Sequence, residues 1–255
     1  MKDGEEIKIL VTDTETQQGK QSYPEVNHLL YVDPDGYYKY DSHDFNAAFN
    51  KTTKTFALQS QVDYLNDHNI LNGGKQWTED DTGNARGFWP FGTEQFWAGM
   101  HMKADFSMPE NGRVLNPNGV YKDMIFEFQG DDDTWLYIDG VLVGDAGGVH
   151  NQTLIRINFR EGTVYVTGKE EHKAAYRTNY AVTLYLDQIL PSTGSGWIQS
   201  PANNGHKTFA PNTYHTFDMF YLERGGGESN LHIKWLFRVL GPGATFGTYV
   251  SAAGV

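Results

Sequence analysis

The residues with the clearest potential for chemistry form an acidic turn near the middle of the chain. Asp131, Asp132 and Asp133 directly follow Gly130 and come just before Trp135. Consecutive carboxylates repel one another, and a hard divalent cation with oxygen ligands, such as Ca²⁺, would stabilise them. The alternative is a solvated β-turn, where aspartate is common because its side chain hydrogen-bonds to nearby backbone groups. The residue types and their spacing leave both interpretations open.

The overall charge favours a cation over an anionic polymer as a partner. The 255 residues include 32 acidic and 20 basic side chains, for a formal net charge of −12. A surface of this sign opposes binding to phosphates, so we expect no nucleic acid partner. The absence of cysteine excludes disulfides, thiol catalysis and cysteine zinc sites.

The sequence also bears on location. It contains no run near the ~20 apolar residues that a membrane-spanning helix requires, so we expect no membrane insertion. The first residues, MKDGEEIKIL, lack the pattern of a signal peptide. Either the protein is cytosolic or this is a domain of a longer exported chain, and we favour the second.

No enzyme motif accompanies the acidic turn. The sequence lacks a Gly-x-Ser-x-Gly elbow, a phosphate-binding loop and a His-Glu-x-x-His helix, and Glu170-Glu171-His172 does not match a zinc helix. A glycoside hydrolase, which needs two carboxyl groups, is the weaker alternative. We therefore expect a binding protein and not an enzyme.

The elements that position the acidic turn are predicted to be β-strands. Aromatic residues favour pleated surfaces and the 28 glycines supply turns, so the composition indicates an all-β fold. Asp139-Gly140 is a hairpin signal, and Trp135 and Trp235 are predicted to lie in the core. Strand patterns occur at 124–128, 135–138, 141–143, 154–159, 163–167, 181–186, 216–222 and 231–239.

We expect a β-sandwich or barrel with a few short helices and long loops. One short helix is predicted to start at Ser42 or Asp44, and a second to cover 62–68. A single domain spans 1–255, with its core at about 27–240 and flexible ends at 1–26 and 241–255. The polar segment 187–213 is predicted to be a long functional or mobile loop.

Two blocks of the sequence resemble a known family. The segment 126–150 combines a strand, GDDD, Trp135, an apolar strand, Ile138-Asp139-Gly140 and a GG-x-H turn. This pattern is similar to the PA14 superfamily, and more closely to its bacterial fibro-slime branch. The run 221–231, with an aromatic strand, a Glu-Arg turn and three glycines, resembles the second block of the family. The segments 37–42 and 96–102 also fit, so the resemblance covers roughly 35–240.

The resemblance implies a PA14-type β-sandwich or barrel and, in lectin-like members, a calcium ion. Two consecutive aspartates joined by a cis peptide bond hold that ion, which also takes a ligand from a second loop and binds sugar hydroxyls. Asp131 and Asp132 match the paired aspartates, or Asp132 and Asp133 if the register shifts by one. Glu223 matches the ligand from the second loop, although it is longer than the asparagine of several relatives.

Further residues are assigned to the surroundings of the ion. Asp133, Arg224, Gly225 and Gly226 are expected to contact the ligand. Trp197, in the long polar segment, is either a stacking platform for a sugar or a lid packed on the core. Asp145 is either a turn residue or a residue that orders the metal loop by binding the metal ligands. His150 is assigned to the same supporting layer, and a structural role is favoured over a ligand role.

These residues together predict a calcium-dependent carbohydrate-binding domain of a bacterial cell-surface adhesin, secreted or anchored to the cell wall. The expected partner is a glycan on a host or neighbouring cell, and the isolated domain is expected to be monomeric. The alternative is a structural or protein-binding module of a surface fibre, in which Ca²⁺ only adds rigidity.

Overall fold

The computed structural model describes residues 26, 28–60, 62–63, 66, 74–75, 87–91, 98–148, 150–169, 179–190, 199–202, 204–223, 229–238 and 247–249. Antiparallel strands dominate these residues and helix is scarce, which confirms the all-β prediction. No described helix has the length and apolar composition needed to cross a membrane.

The described strands and one short helix follow in chain order. The strands are β1 (Tyr31–Val32), β2 (Tyr38–Asp41), β3 (Asn46–Asn50), β4 (Thr55–Gln59), β5 (Ala98–Ser107), β6 (Arg113–Leu115), β7 (Tyr121–Asp123), β8 (Ile125–Gly130), β9 (Asp133–Ile138), β10 (Val141–Ala146), β11 (Thr153–Asn158), β12 (Thr163–Lys169), β13 (Asn179–Tyr185), β14 (Gln199–Pro201), β15 (Lys207–Phe209), β16 (Tyr214–Glu223), β17 (Leu231–Leu236) and β18 (Gly247–Tyr249). The helix α1 (Leu186–Ile189) lies between β13 and β14.

Two large sheets pack face to face as a β-sandwich. The seven-stranded sheet has the order β1-β2-β17-β8-β11-β12-β13, and the five-stranded sheet has the order β10-β9-β16-β5-β18. Phe126 of β8 packs on Phe217 of β16 with ring centroids 4.4 Å apart, and Phe128 lies 6.4 Å from Tyr221. Because these aromatic pairs join opposite sheets, the core lies between the sheets, as the predicted sandwich requires.

Strand alternation decides which side chains enter this core. In β17, Leu231, Ile233 and Trp235 are buried, so the predicted core position of Trp235 is confirmed. The same prediction for Trp135 is wrong. Leu136 is fully buried in β9 and Trp135 is only partly buried, because neighbouring residues of a strand face opposite sides of the sheet.

The hairpin prediction is confirmed. Asp139 and Gly140 have φ values of 49° and 79°, and they join β9 to β10 next to the pair Ile138 and Val141. Positive φ at both central residues is the conformation that an Asp-Gly hairpin turn favours.

The helix predicted at Ser42 or Asp44 is wrong. The chain makes a turn there and enters β3, which pairs with β4. Phe49 packs on Phe56 of β4 with ring centroids 5.3 Å apart, so tertiary packing overrides the local helix signal. In the second predicted helix, Val62, Asp63 and Asn66 are helical, and the rest of 62–68 lies outside the described residues.

The segment 187–213 contains more regular structure than the predicted loop. It includes the end of α1 and the hairpin β14–β15, and Phe209 of β15 is buried. The C-terminal end was predicted to be flexible, but within it β18 pairs with β5 and forms an edge of the five-stranded sheet.

Candidate functional site

Three connections between the two sheets meet at one end of the sandwich, which we call the acidic end. The acidic turn leads from Gly130 at the end of β8 to Asp133 at the start of β9. The other two connections lead from β10 to β11 and from β16 to β17. Gly130 pairs with Thr153 of β11 and with Leu231 of β17, so all three connections begin or end beside it. The two sequence blocks that resemble PA14 domains are therefore adjacent in space.

Gly130 is required by close backbone packing at this point. A Cβ atom on Gly130 would lie 2.6 Å from the carbonyl oxygen of Asn230 and 2.7 Å from the ring of Phe128. Real Cβ atoms do not approach a backbone oxygen so closely. The glycine that opens the GDDD motif thus lets the acidic turn lie directly against the connection before β17.

Two of the aspartates bind residues of the β16–β17 region. The backbone N–H of Asn230 donates a hydrogen bond to Asp131 Oδ1 at 2.7 Å. The hydroxyl of Tyr221 donates to Asp132 Oδ2 at 3.1 Å. The acidic turn is consequently tied to the second sequence block by both side chains that were predicted to bind metal.

Glu223 reaches the same hydroxyl from the end of β16. Its Oε2 lies 3.2 Å from Tyr221 Oη, and only 2% of Glu223 is exposed. Burial, followed by the carboxylates of Asp132 and Glu223, raises the pKa of Tyr221 well above its ordinary value. The hydroxyl therefore stays protonated and acts as a hydrogen-bond donor between the two carboxylates.

The prediction of a cis peptide bond between the paired aspartates is wrong. The described residues contain no cis bond, so the link between Asp131 and Asp132 is trans. These residues form a bend between two sheets and not a continuous strand, and each side chain reaches its own partner. Among the described residues, no group of three acidic or histidine side chains has the geometry of a metal site.

Asp133 points to the third connection. Its Oδ1 accepts a hydrogen bond from the backbone N–H of Gly148, and the residue is buried. Asp133 thus holds the β10–β11 connection against the start of β9.

Asp145 and His150 order the same connection. The N–H of Gly147 donates to Asp145 Oδ1 at 2.9 Å. The two ring nitrogens of His150 lie 2.7 Å from the carbonyl oxygens of Ala146 and Asn151. Both side chains bind the backbone of their own turn, and their predicted place behind a metal site stays a prediction.

The remaining predicted site residues lie outside the described part of the chain. They are Trp197, Arg224, Gly225 and Gly226. Their assignment to carbohydrate contacts stays a prediction.

The sequence interpretation missed Tyr221 and Asn230. A signal for Tyr221 was present, because alternation along β16 places it in the core-facing row with Phe217 and Met219. A buried tyrosine hydroxyl needs a hydrogen-bond partner, and acidic residues nearby in the fold are suitable acceptors. No sequence signal identified Asn230, since its contribution is a backbone N–H.

A separate charged cluster lies on the outer face of the seven-stranded sheet. His232 Nδ1 lies 3.0 Å from Asp41 Oδ2, and Nε2 lies 3.1 Å from Glu127 Oε1. Glu127 also binds Arg156, and Asp41 binds Lys39. Burial opposes the charged form of His232, but the two hydrogen bonds outweigh it and raise the pKa above 6.5. Burial raises the pKa values of Asp41 and Glu127, but their partners together outweigh it and lower both pKa values: His232, the backbone N–H of His43 and Lys39 for Asp41, and His232 and Arg156 for Glu127.

Comparisons with known proteins give one partial match. No family model and no solved structure matches the chain. The protein psiP of Dictyostelium discoideum is 25% identical over 151 residues, which cover 52% of this chain and 20% of psiP. The match thus spans one fifth of that protein's length, and at this identity and coverage it does not assign a family. The resemblance to PA14 domains stays a prediction.

Proposed function

We propose that the acidic end is a calcium-dependent carbohydrate-binding site and that the chain serves as the recognition domain of a cell-surface adhesin. The observation that supports this proposal is the meeting of carboxylates from two separate sequence blocks. Asp132 and Glu223 both lie within hydrogen-bond distance of Tyr221 Oη, and Asp131 is anchored to the neighbouring backbone of Asn230.

The chemistry of this donor set fits Ca²⁺. The predicted ligands Asp131, Asp132 and Glu223 offer only carboxylate oxygens, which a hard cation prefers. Bringing negative charges together raises their mutual repulsion, and a bound cation lowers it. The described side chains alone do not form a complete metal site, so the proposal requires further oxygen ligands. When bound, Ca²⁺ would offer coordination positions to neighbouring hydroxyl groups of a sugar.

The first test is calcium titration by isothermal calorimetry, using Asp131→Asn, Asp132→Asn and Glu223→Gln. Asparagine is preferred to alanine because its side-chain oxygen still accepts the hydrogen bond while its charge is lost. Each variant is expected to bind Ca²⁺ at least about tenfold more weakly, the equivalent of 1.4 kcal/mol. Asp35→Asn is the matched control, because it removes one charge from an exposed carboxylate that pairs with Lys122.

A glycan array, run once with calcium and once with chelator, tests whether the site binds carbohydrate. A lectin is supported if chelator abolishes glycan binding, if Asp132→Asn loses it, and if Asp35→Asn retains it. Calcium affinity unchanged in both aspartate variants would contradict the metal assignment. Calcium binding without any glycan binding would contradict the carbohydrate assignment.

One observation favours the alternative, a structural or protein-binding module of a surface fibre. Each aspartate of the turn binds a donor from another part of the acidic end, namely Asn230, Tyr221 or Gly148. These contacts close the end of the sandwich, and a cation there could serve rigidity alone. In that case calcium raises the melting temperature by mass action, and no glycan on the array binds.

A further inference from the structure

A cleft of about 650 Å³ lies at the end of the sandwich opposite the acidic end. Its walls come from the β5–β6 connection, the β6–β7 hairpin and Arg238, which follows β17. The strand directions establish its position. Ala98 at the start of β5 pairs with Glu223 at the acidic end, and β5 runs from there toward this cleft. A cleft of this size is within the range of small-molecule sites, about 300 to 1,000 Å³.

The backbone around the cleft is held by hydrogen bonds between separate segments. The N–H of Ser107 donates to the carbonyl oxygen of Arg238 at 2.9 Å. The N–H of Met108 donates to the carbonyl oxygen of Thr213, and the N–H of Asn212 donates to that of Met108. The positions from which the cleft side chains project are therefore set by the sheet framework.

Two arginines line this cleft in a strongly acidic chain. Arg238 is exposed, its Nη1 donates to the amide oxygen of Asn212 at 3.2 Å, and no carboxylate of the described residues pairs with it. Arg113 donates from Nε to Asp123 at 2.9 Å, and 47% of its side chain is exposed. A guanidinium without a carboxylate partner favours a ligand that carries an oxyanion, because its fork of N–H groups matches a carboxylate.

The other walls favour a ligand with both a ring face and hydroxyl groups. Tyr121 and Leu115 present apolar surface and are 62% and 54% exposed. Glu110 and Asn111 also line the cleft. A carboxylate and an amide can both bind hydroxyl groups.

We propose that this cleft binds a carboxylated saccharide of the uronic acid class. Arg238 and Arg113 hold the carboxylate, Tyr121 packs against a face of the sugar ring, and Glu110 and Asn111 bind its hydroxyl groups. This site does not depend on calcium or on the acidic end.

The probe is a trimer of galacturonic acid, titrated in EDTA by calorimetry and compared with its neutral methyl ester. The wild-type chain is expected to bind the trimer, and Arg238→Gln to weaken that binding at least about tenfold. Arg238→Lys is expected to be intermediate, because an ammonium keeps the charge but lacks the fork. Tyr121→Ala is expected to weaken binding several-fold through the lost ring contact.

Lys54→Gln is the matched control, because Lys54 is exposed in the β3–β4 turn and its loss changes the net charge equally. Circular dichroism establishes that each variant is folded. The proposal is overturned if the trimer does not bind, if the methyl ester binds equally well, or if folded Arg238→Gln binds like the wild type. Equal binding of a pentaglutamate peptide would overturn the saccharide assignment. Because EDTA is present throughout, failure of the calcium proposal leaves these outcomes unchanged.

Discussion

Replacing Tyr221 by phenylalanine isolates the contact that joins the two carboxylates of the acidic end. The side chain is fully buried, and its ring packs near Phe88 and Phe128 with centroids 6.1 and 6.4 Å away. Phenylalanine keeps these ring contacts and every carbon atom of the side chain. The substitution removes only the hydroxyl that lies 3.1 Å from Asp132 and 3.2 Å from Glu223.

The size of the effect follows from the number of protons that Tyr221 can donate. A hydroxyl has one hydrogen, so it satisfies one carboxylate at a time even though two oxygens lie in range. The expected loss is that of one hydrogen bond to a charged group, about 1.5 to 3 kcal/mol of unfolding free energy. For a chain of this size, the melting temperature should fall by roughly 3 to 12 °C.

Urea denaturation followed by tryptophan fluorescence measures this loss, with the m-value as the check that the unfolding transition is unchanged. Tyr40→Phe is the matched control. Tyr40 is also fully buried, but its hydroxyl donates at 3.2 Å to a neutral acceptor, the carbonyl oxygen of Phe45. Its loss should cost about 0.5 to 1.5 kcal/mol. If Tyr221→Phe is within about 0.5 kcal/mol of the wild type, the hydroxyl does not stabilise the two carboxylates.

Two further substitutions test the packing and the charge network. Gly130→Ala should destabilise the fold by about 1 to 3 kcal/mol, because its Cβ meets the carbonyl oxygen of Asn230. Gly144→Ala, whose Cβ meets only side-chain methyl groups at 3.2 to 3.3 Å, should cost less than half as much in urea denaturation, and equal losses would refute this reasoning. His232→Gln should cost about 1.5 to 3 kcal/mol near about pH 6, where the histidine is charged between its two carboxylates. Because the folded pKa of His232 is raised, its stabilisation is fully present below pH 6.5 and is lost as the pH rises through that raised value. Denaturation at about pH 6 and about pH 9 measures the difference, and a penalty independent of pH would contradict a charged histidine.

Much of the strand pattern could be predicted from local chemistry. Alternation identified β8, β9, β11, β12, β16 and β17 to within a few residues, and Asp139-Gly140 marked the hairpin between β9 and β10. The ten-residue strand β5, which pairs with β16 and β18, was not predicted as a strand, although 96–102 was part of the family resemblance. The segment at Ser42 showed the limit of local signals, since a plausible helix cap there precedes a strand that pairs with β4.

The candidate site was predicted in its location but not in its contacts. The resemblance to PA14 domains implied that the acidic turn and Glu223 belong together, and the structure places both at one end of the sandwich. Their common contact, the hydroxyl of Tyr221, was missed. The prediction of a cis peptide bond between Asp131 and Asp132 was wrong.

By itself, the amino-acid order determined the all-β class, the strand periodicity and the acidic character of the turn, because these follow from neighbouring side chains and from backbone conformation. Only the tertiary structure decided that Tyr221 lies between Asp132 and Glu223 and that Trp135 faces outward. Such contacts join residues far apart in sequence, as the 89 positions between Asp132 and Tyr221 illustrate. They depend on which strands pair and on how two twisted sheets pack together, and this choice is made by burial over the whole core.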